Sequence, residues 1–344
     1  MRSLVERADV LIAGASFAGL AAARALGRSA LIVDRAPLGA GQTSACGAPV
    51  SLLERAGAAA SILQRHGHLV IAVGDQAVTW PLPEPFCTFD YPAYCRLAFE
   101  RSGAAFIQAS VRGIEDGRIQ TSAGEIIADH VVDATGPRSV LAGDAPRGRR
   151  LAFGLETELA APMAEGLYFY FLPEVRDGYA WAFPCGEATR FGVLSYLGRT
   201  RLLPALRLFL RRFDLTPGPM HGGYLATGLR PAVTGKVFVV GDAAGHCLPL
   251  TGEGIRTAVL AGEMCGGLLR EVLEGRWSQQ DAAARYRTFI EGQRRRFRAL
   301  LWGNAAALVL PRPLLRVLAR VMAHPSLLSR FFRHYLSVFA AALS

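Results

Sequence analysis

Residues 8–35, ADVLIAGASFAGLAAARALGRSALIVDR, constrain the fold more than any other stretch of the chain. Val10–Ala13 reads as a short apolar strand, Gly14–Gly19 as a tight turn, and Leu20–Leu26 as an alanine-rich helix start. A second buried strand, Ala30–Val33, follows and ends at Asp34 and Arg35. This order is that of a dinucleotide-binding βαβ unit. Gly14 permits the turn, and Gly19 lets the helix lie close to the strand. The N–H groups of Ser16, Phe17 and Ala18 open toward a pyrophosphate at the helix N-terminus. Asp34 is placed to accept hydrogen bonds from a ribose. The pattern departs from GxGxxG at Ser16, whose hydroxyl can itself donate to phosphate but whose β-carbon takes up space.

A second glycine-rich segment appears more than two hundred residues later. Lys236–Val240 is a buried strand delivering Gly241 and Asp242, and GDAAGHCLPLTGEGI continues through Pro249 to Gly252, Glu253, Gly254 and Ile255, where a helix begins. An acid at a strand end suits the hydroxyls of a ribityl chain. A helix N-terminus beyond it suits the N1–C2=O edge of a flavin, which becomes negative on reduction. A third strand, His130–Asp133, also runs into a glycine turn at Gly136. Two distant loops thus suit the two ends of one FAD.

Taken together, the first turn, VVDATGPRS and GDAAG with PLTGEGI resemble the flavoprotein superfamily of the aromatic hydroxylases and the geranylgeranyl reductases. Ala45-Cys46-Gly47 and GYAWAFP (Gly178–Pro184) are similar to motifs of the reductase branch, and the similarity runs from about residue 8 to 270. Cys185-Gly186 stands where that branch has lysine-glycine, and His246 where it often has an aromatic. The resemblance implies an α/β fold: a Rossmann-like FAD-binding domain of the glutathione-reductase type, formed by 1–150 and 225–292. An antiparallel substrate sheet is inserted at 151–224, and 293–344 form a helical cap. It also implies that Cys46 and Gly47 lie near the flavin, with Cys46 and His246 as candidate catalytic groups.

Tyr179, Trp181 and Phe183 share one face of a strand by period-two alternation, with Ala180 and Ala182 behind. Such a row of rings can line an apolar substrate channel, or simply fill a core. A thiol of ordinary pKa, about 8.5, is protonated at neutral pH, so Cys46 can serve as a proton donor or as a small buried hydrophobe.

The chain of 344 residues is 51% apolar with a formal charge of +10, which excludes general disorder. Lys236 is the only lysine among 38 basic residues. Arginine suits anionic ligands or an anionic membrane surface, and no nucleic-acid motif accompanies the charge. Six cysteines without metal-ligand spacing point to a reduced, cytoplasmic protein with no metal site. The N-terminal apolar stretch reads as strand and helix rather than a leader. The arginine-rich C-terminus pairs Arg316 with Arg320 and Arg330 with Arg333 on helical faces, compatible with a peripheral membrane contact or a cap with its arginines in water.

These features favour FAD-dependent reduction of a carbon–carbon double bond in an isoprenoid or similar lipid. The electron donor, NAD(P)H or a reduced carrier, is left open, since no second nucleotide turn is visible. The rival enzyme reading is a monooxygenase acting on an aromatic or polyketide-like molecule. A lysine-dependent halogenase is disfavoured by the position of Lys236. A non-enzymatic flavin-binding role is the remaining alternative.

Overall fold

The computed structural model describes residues 6–143 and 151–340. The boundary expected at residue 150 and the last four residues of the expected cap lie outside the described residues. The chain begins with β1 (Glu6–Ala13), α1 (Phe17–Leu26) and β2 (Ala30–Asp34). Next come β3 (Gly47–Pro49), α2 (Val50–Ala56), β4 (Ile62–Val73), β5 (Gln76–Phe89) and α3 (Tyr91–Glu100). Then follow β6 (Ala105–Gln108), β7 (Val111–Glu115), β8 (Arg118–Thr121) and β9 (Gly124–Asp133). The middle of the chain supplies β10 (Leu151–Leu159), β11 (Leu167–Phe171), β12 (Gly178–Pro184), β13 (Thr189–Ser195), α4 (Leu203–Arg211) and β14 (Met220–Ala226). It closes with β15 (Val233–Thr234), β16 (Val237–Val239), α5 (Ile255–Leu273), α6 (Gln279–Val309), α7 (Arg312–Met322) and α8 (Pro325–Leu336).

Two sheets organise these elements. The first has the order β15-β16-β9-β1-β2-β6, with the β7–β8 hairpin continuing from β9. Its strands β16, β9, β1, β2 and β6 pair in parallel, the arrangement a βαβ start requires. Alternation decides which side each residue serves. Val10 and Ile12 enter the large core beneath α1 and α5, while Leu11 and Ala13 enter a smaller core that includes Ile119 of β8 and Ile126 of β9.

The second sheet has the order β14-β10-β13-β12-β11-β4-β5-β3. It is wider than the 151–224 stretch from which a sheet was expected, because residues 47–89 contribute β3, β4 and β5. The seam is the one parallel pairing, β11 with β4. The β4–β5 run resists reading because it alternates weakly and carries prolines at 81, 83 and 85. Helix α6 runs unbroken across residue 292, where the sequence suggested a boundary. Ser278 and Asp281 form a capping box at its start, and Tyr286 on its inner face donates to the Val239 carbonyl at 2.9 Å.

Helices α1 and α5 approach until their backbones touch. A β-carbon at Gly262 would lie 2.3 Å from the Ala18 carbonyl oxygen, and one at Gly266 would lie 2.4 Å from that of Ala22. Gly266→Ala is therefore expected to destabilise the fold by about 1–3 kcal/mol, through overpacking. Gly267→Ala, where an added β-carbon meets nothing within 4 Å, is expected to stabilise by about 0.5–1 kcal/mol, as alanine for a helical glycine does. Chemical denaturation of the two variants separates close packing from helix propensity.

Candidate cofactor and substrate site

Three chain segments meet at the carboxyl edge of the parallel sheet. The Gly14 N–H donates to Val33 O at 2.8 Å, the Ala134 N–H to Ala13 O at 2.8 Å, and the Val240 N–H to Asp133 O at 3.0 Å. Gly14 takes φ +113°, and a β-carbon there would sit 2.2 Å from the Ala134 carbonyl oxygen. At Gly241, φ +63°, a β-carbon would press on that of Ala18 at 2.9 Å. Both glycines are required by close approach as well as by the turn. The first turn, the Gly136 turn and the second glycine segment thus occupy one place, as expected for two loops serving one ligand.

The turn is held from below and left open above. One Asp34 carboxylate oxygen accepts the Ala15 N–H at 2.8 Å, and the other accepts the Ala36 N–H at 2.9 Å. That fixes the turn and leaves lone pairs for a ribose. Arg35 is exposed beside it. Ser16 is the N-cap of α1 but makes no capping bond; its Oγ accepts from the Tyr91 hydroxyl at 3.1 Å. The first turn of α1 carries no acid, so its N–H groups and dipole remain available to an anion. The Phe17 side chain turns away into the core against Phe89, Tyr91 and Tyr94. Only its backbone can serve a cofactor.

Two residues that sequence reasoning left out of the site organise it. Asp133, fully buried, accepts from the Thr135, Leu141 and Ala142 N–H groups and from the Thr135 and Ser139 hydroxyls, shaping the loop that contains Gly136. Arg230 donates from one nitrogen to Pro137 O at 2.9 Å and Ala243 O at 3.1 Å, clamping the second and third segments together. The acid ending a buried strand was the available signal for Asp133. Arg230 lies in a loop with none.

Asp242 is half-buried, and burial pushes its carboxyl up to about 6. Pro249 and Ile255 are buried, while Gly252 and Gly254 are half-buried. Glu253 faces the C-terminal helices. It pairs with Arg256 at 2.9 Å and accepts from the Tyr335 hydroxyl at 3.2 Å. Arg256 in turn donates to the Tyr335, Leu336 and Val338 carbonyls at the end of α8, a favourable place for a cation. His246 is also directed to the cap: fully buried, its ring lies 4.9 Å from that of Phe339.

The ring-bearing face of the second sheet lies against these segments. Tyr179, Trp181 and Phe183 share a cluster with Leu194, while Ala180 and Ala182 face α4 on the other side, so the alternation is as expected. All three rings are buried. A β-carbon on Gly47 would lie 3.2 Å from the Phe183 ring, and one on Gly252 would lie 3.0 Å from the Tyr179 hydroxyl. The row therefore runs from the Cys46-Gly47 loop to the start of α5. Cys46 itself is fully buried at φ +52° and donates to Ser44 O at 3.3 Å. Burial raises its thiol well above the usual range, so it holds its proton.

The same face carries charge that the sequence reading missed. Strand pairing places Trp181, Gly192, Glu156 and His221 in one row. Gly192 leaves room for the indole to cross β13, since a β-carbon there would lie 2.0 Å from it. Trp181 Nε1 then donates to the buried Glu156 at 2.8 Å, and His221 Nε2 approaches the other carboxylate oxygen at 3.0 Å. The next row sets Phe183 beside Arg190 and Glu158, and Arg190 donates to Phe89 O at 3.0 Å and Ala45 O at 3.3 Å, bracing the Cys46 loop.

The open helix end, the glycines without room for β-carbons and the acid at β2 fit the dinucleotide end of an FAD, and Asp242 with the start of α5 fits its other end. No cluster of potential metal ligands exists among the described residues.

His246 supplies a pH test. Its Nδ1 accepts the Gly241 N–H at 3.2 Å, and burial pushes its pKa down from 6.5 to about 3. The folded chain keeps the imidazole neutral, whereas the unfolded chain protonates it below about pH 6.5. Stability from this residue is therefore complete above that pH and falls by about 1.4 kcal/mol per pH unit down to about pH 3. Urea titrations at about pH 7 and pH 5 should show wild type losing ~2 kcal/mol more than His246→Asn.

No protein-family model matches the chain. It is 26% identical over 333 residues to digeranylgeranylglycerophospholipid reductase 3 of Methanosphaera stadtmanae, covering 83% of each protein. It is 32% identical over 110 residues to the digeranylgeranylglycerophospholipid reductase of Methanococcus vannielii, covering 28% of each. The alignments to the first three curated relatives span only 28–32% of those proteins' lengths. Among solved structures, a geranylgeranyl bacteriochlorophyll reductase-like protein from Thermoplasma acidophilum superposes with TM-score 0.83 at 19% identity, covering 97% of this chain and 98% of that one. A flavin-dependent brominase superposes with TM-score 0.74 at 14% identity, covering 95% and 93%. In sequence this chain is similar to the geranylgeranyl reductase flavoproteins, and in fold it is similar to the wider superfamily that also holds flavin-dependent halogenases and monooxygenases.

Proposed function

We propose that this chain is an FAD-dependent reductase of carbon–carbon double bonds in an isoprenoid lipid. The observation that carries the reading is the ring row, bounded at one end by Gly47 and at the other by Gly252. The Gly252 loop belongs to a segment suited to the flavin, and the resemblance sets Cys46-Gly47 near the same ring, so an apolar chain lying on the row would lie beside the flavin ring. The likeness to digeranylgeranylglycerophospholipid reductases supports the same substrate class.

When bound and reduced, FAD supplies a hydride. The remaining work falls to the protein. Asp34 and the start of α1 hold the adenosine end, while Asp242 and the start of α5 hold the flavin end. Tyr179, Trp181 and Phe183 exclude water and align an apolar chain. Cys46, next to the Gly47 that abuts Phe183, keeps a proton at Sγ that would serve the second alkene carbon. Arg190 and Glu156 place a fixed polar group at the edge of the row, and His221, partly exposed, connects that edge to solvent.

Two experiments test the reading. Purified protein should bind FAD, and Gly14→Ala should weaken binding by ~10²-fold or more, since the β-carbon displaces the Ala134 backbone that shapes the site. A protein that stays colourless in excess FAD would remove the basis of the proposal. Photoreduced anaerobically, the holoprotein should be reoxidised by geranylgeranyl-bearing phospholipid with a gain of two hydrogens, but not by the saturated lipid. Cys46→Ala should slow that step ~10²-fold without altering FAD affinity, as loss of a general acid does. Reoxidation by oxygen alone, with one oxygen atom entering an aromatic product, would favour the monooxygenase reading.

A further inference from the structure

Helix α7 packs on the β4–β5 hairpin. Arg316, half-buried, and Arg320, exposed, reach along the tip of that hairpin. Arg316 Nε donates to Val73 O at 3.0 Å and Arg320 to the Gln76 side chain at 2.9 Å, both at the tip of the β4–β5 hairpin. Leu315 and Ala319 are the buried residues of the helix, and Trp80 donates to Ala319 O at 3.0 Å. The face left outside is apolar: Leu314, Val317, Leu318 and Val321, spaced i, i+3, i+4, i+7, are 43–56% exposed.

The end of α6, joined to α7 by two residues, does the same. Trp302 is 77% exposed and Val309 81%, and no charged residue lies between Arg298 and Arg312. Large apolar side chains repeated on successive helices at this exposure mark a surface that meets another apolar phase. Charge identifies that phase. From residue 292 onward the chain has nine arginines and no aspartate or glutamate. Arg298 on α6, Arg312 on α7, and Arg330 and Arg333 on α8, which packs on α7, are all exposed. A second copy docked here would set like charges against each other, whereas an anionic bilayer offers acyl chains to the apolar residues and phosphates to the arginines. No helix among the described residues is long and apolar enough to cross a membrane, so contact through this surface is in the interfacial plane.

We propose that the end of α6 and the outer face of α7 form a docking surface for an anionic lipid bilayer, with Leu314, Val317, Leu318 and Val321 inserted and the flanking arginines on phosphates. The surface stands without the reading of the reaction and adds to it a source of substrate. Helix α8, which packs on α7, carries Leu336 into the ring cluster and Tyr335 to within 2.8 Å of the Thr251 hydroxyl, so the docked face leads directly to the site.

The test is flotation of the full chain with phosphatidylcholine vesicles, with and without phosphatidylglycerol. Binding is expected only to the anionic vesicles and should weaken at high salt. The pair Val317→Glu and Val321→Glu should weaken it at least ~10-fold, with FAD affinity and melting temperature unchanged. Val317→Ser with Val321→Ser serves if the charged pair fails to fold. Absence of binding to anionic vesicles, or binding that neither pair weakens, overturns the proposal. So does a dimer in size-exclusion chromatography that either pair dissociates, which would assign the surface to a second copy. None of these outcomes depends on whether the flavin or the lipid reaction is as proposed.

Discussion

Backbone contact between segments far apart in sequence holds the molecule together at its centre. Gly14 lies against Ala134, Gly241 against Ala18, and Gly262 and Gly266 against the carbonyls of α1. Each contact needs a residue without a β-carbon, because the added atom would stand well inside van der Waals distance of rigid backbone or a neighbouring β-carbon. These contacts bring three strand ends to one edge of the parallel sheet, where open peptide groups and helix N-termini collect. The second sheet, the cap and the candidate site are all positioned from that junction. Asp133 and Arg230 stabilise it by satisfying the loop peptide groups that a junction of turns would otherwise leave buried and unpaired.

The second sheet meets the junction through a face that is apolar in bulk but not in detail. Three rings dominate it, yet Glu156 and Arg190 are buried beside them. Burying such charges is unfavourable unless each is paired or bonded. Here Glu156 has the Trp181 indole and His221, and Arg190 has Glu158 and two backbone carbonyls. The indole reaches Glu156 only because residue 192 is glycine. A glycine in mid-strand weakens packing and is retained where another group must approach. At this position it joins an apolar row to a polar one.

The parts legible in the sequence were those fixed by local rules. The βαβ start, the second glycine segment and the ring alternation of Tyr179, Trp181 and Phe183 follow from turn chemistry and periodicity. What escaped depends on partners distant in sequence. The β4–β5 hairpin joins the second sheet through a parallel pairing with β11, which no local pattern announces. Phe17 and Glu253 occupy motif positions, but tertiary neighbours decide where their side chains go: an aromatic core for the first, the cap for the second. His246 follows the same logic, its ring against Phe339. Arg316 and Arg320 share a helical face as the spacing requires, and only the β4–β5 tip determines what they bond, the Val73 carbonyl and the Gln76 side chain.

The cap and the site form one mechanical unit. Arg256 lies in the first turn of α5, two residues beyond the peptide groups suited to the flavin, and its guanidinium holds the last carbonyls of α8. Tyr335 returns the connection through Thr251 and Glu253. Helix α8 is thereby tied to the loop at Gly252, which abuts the Tyr179 end of the ring row. Because α8 also packs on α7, the apolar surface outside and the ring row inside are joined by two helices and one ion pair. The outer surface and the ring-bearing face are thus connected through a short chain of hydrogen bonds and packed helices.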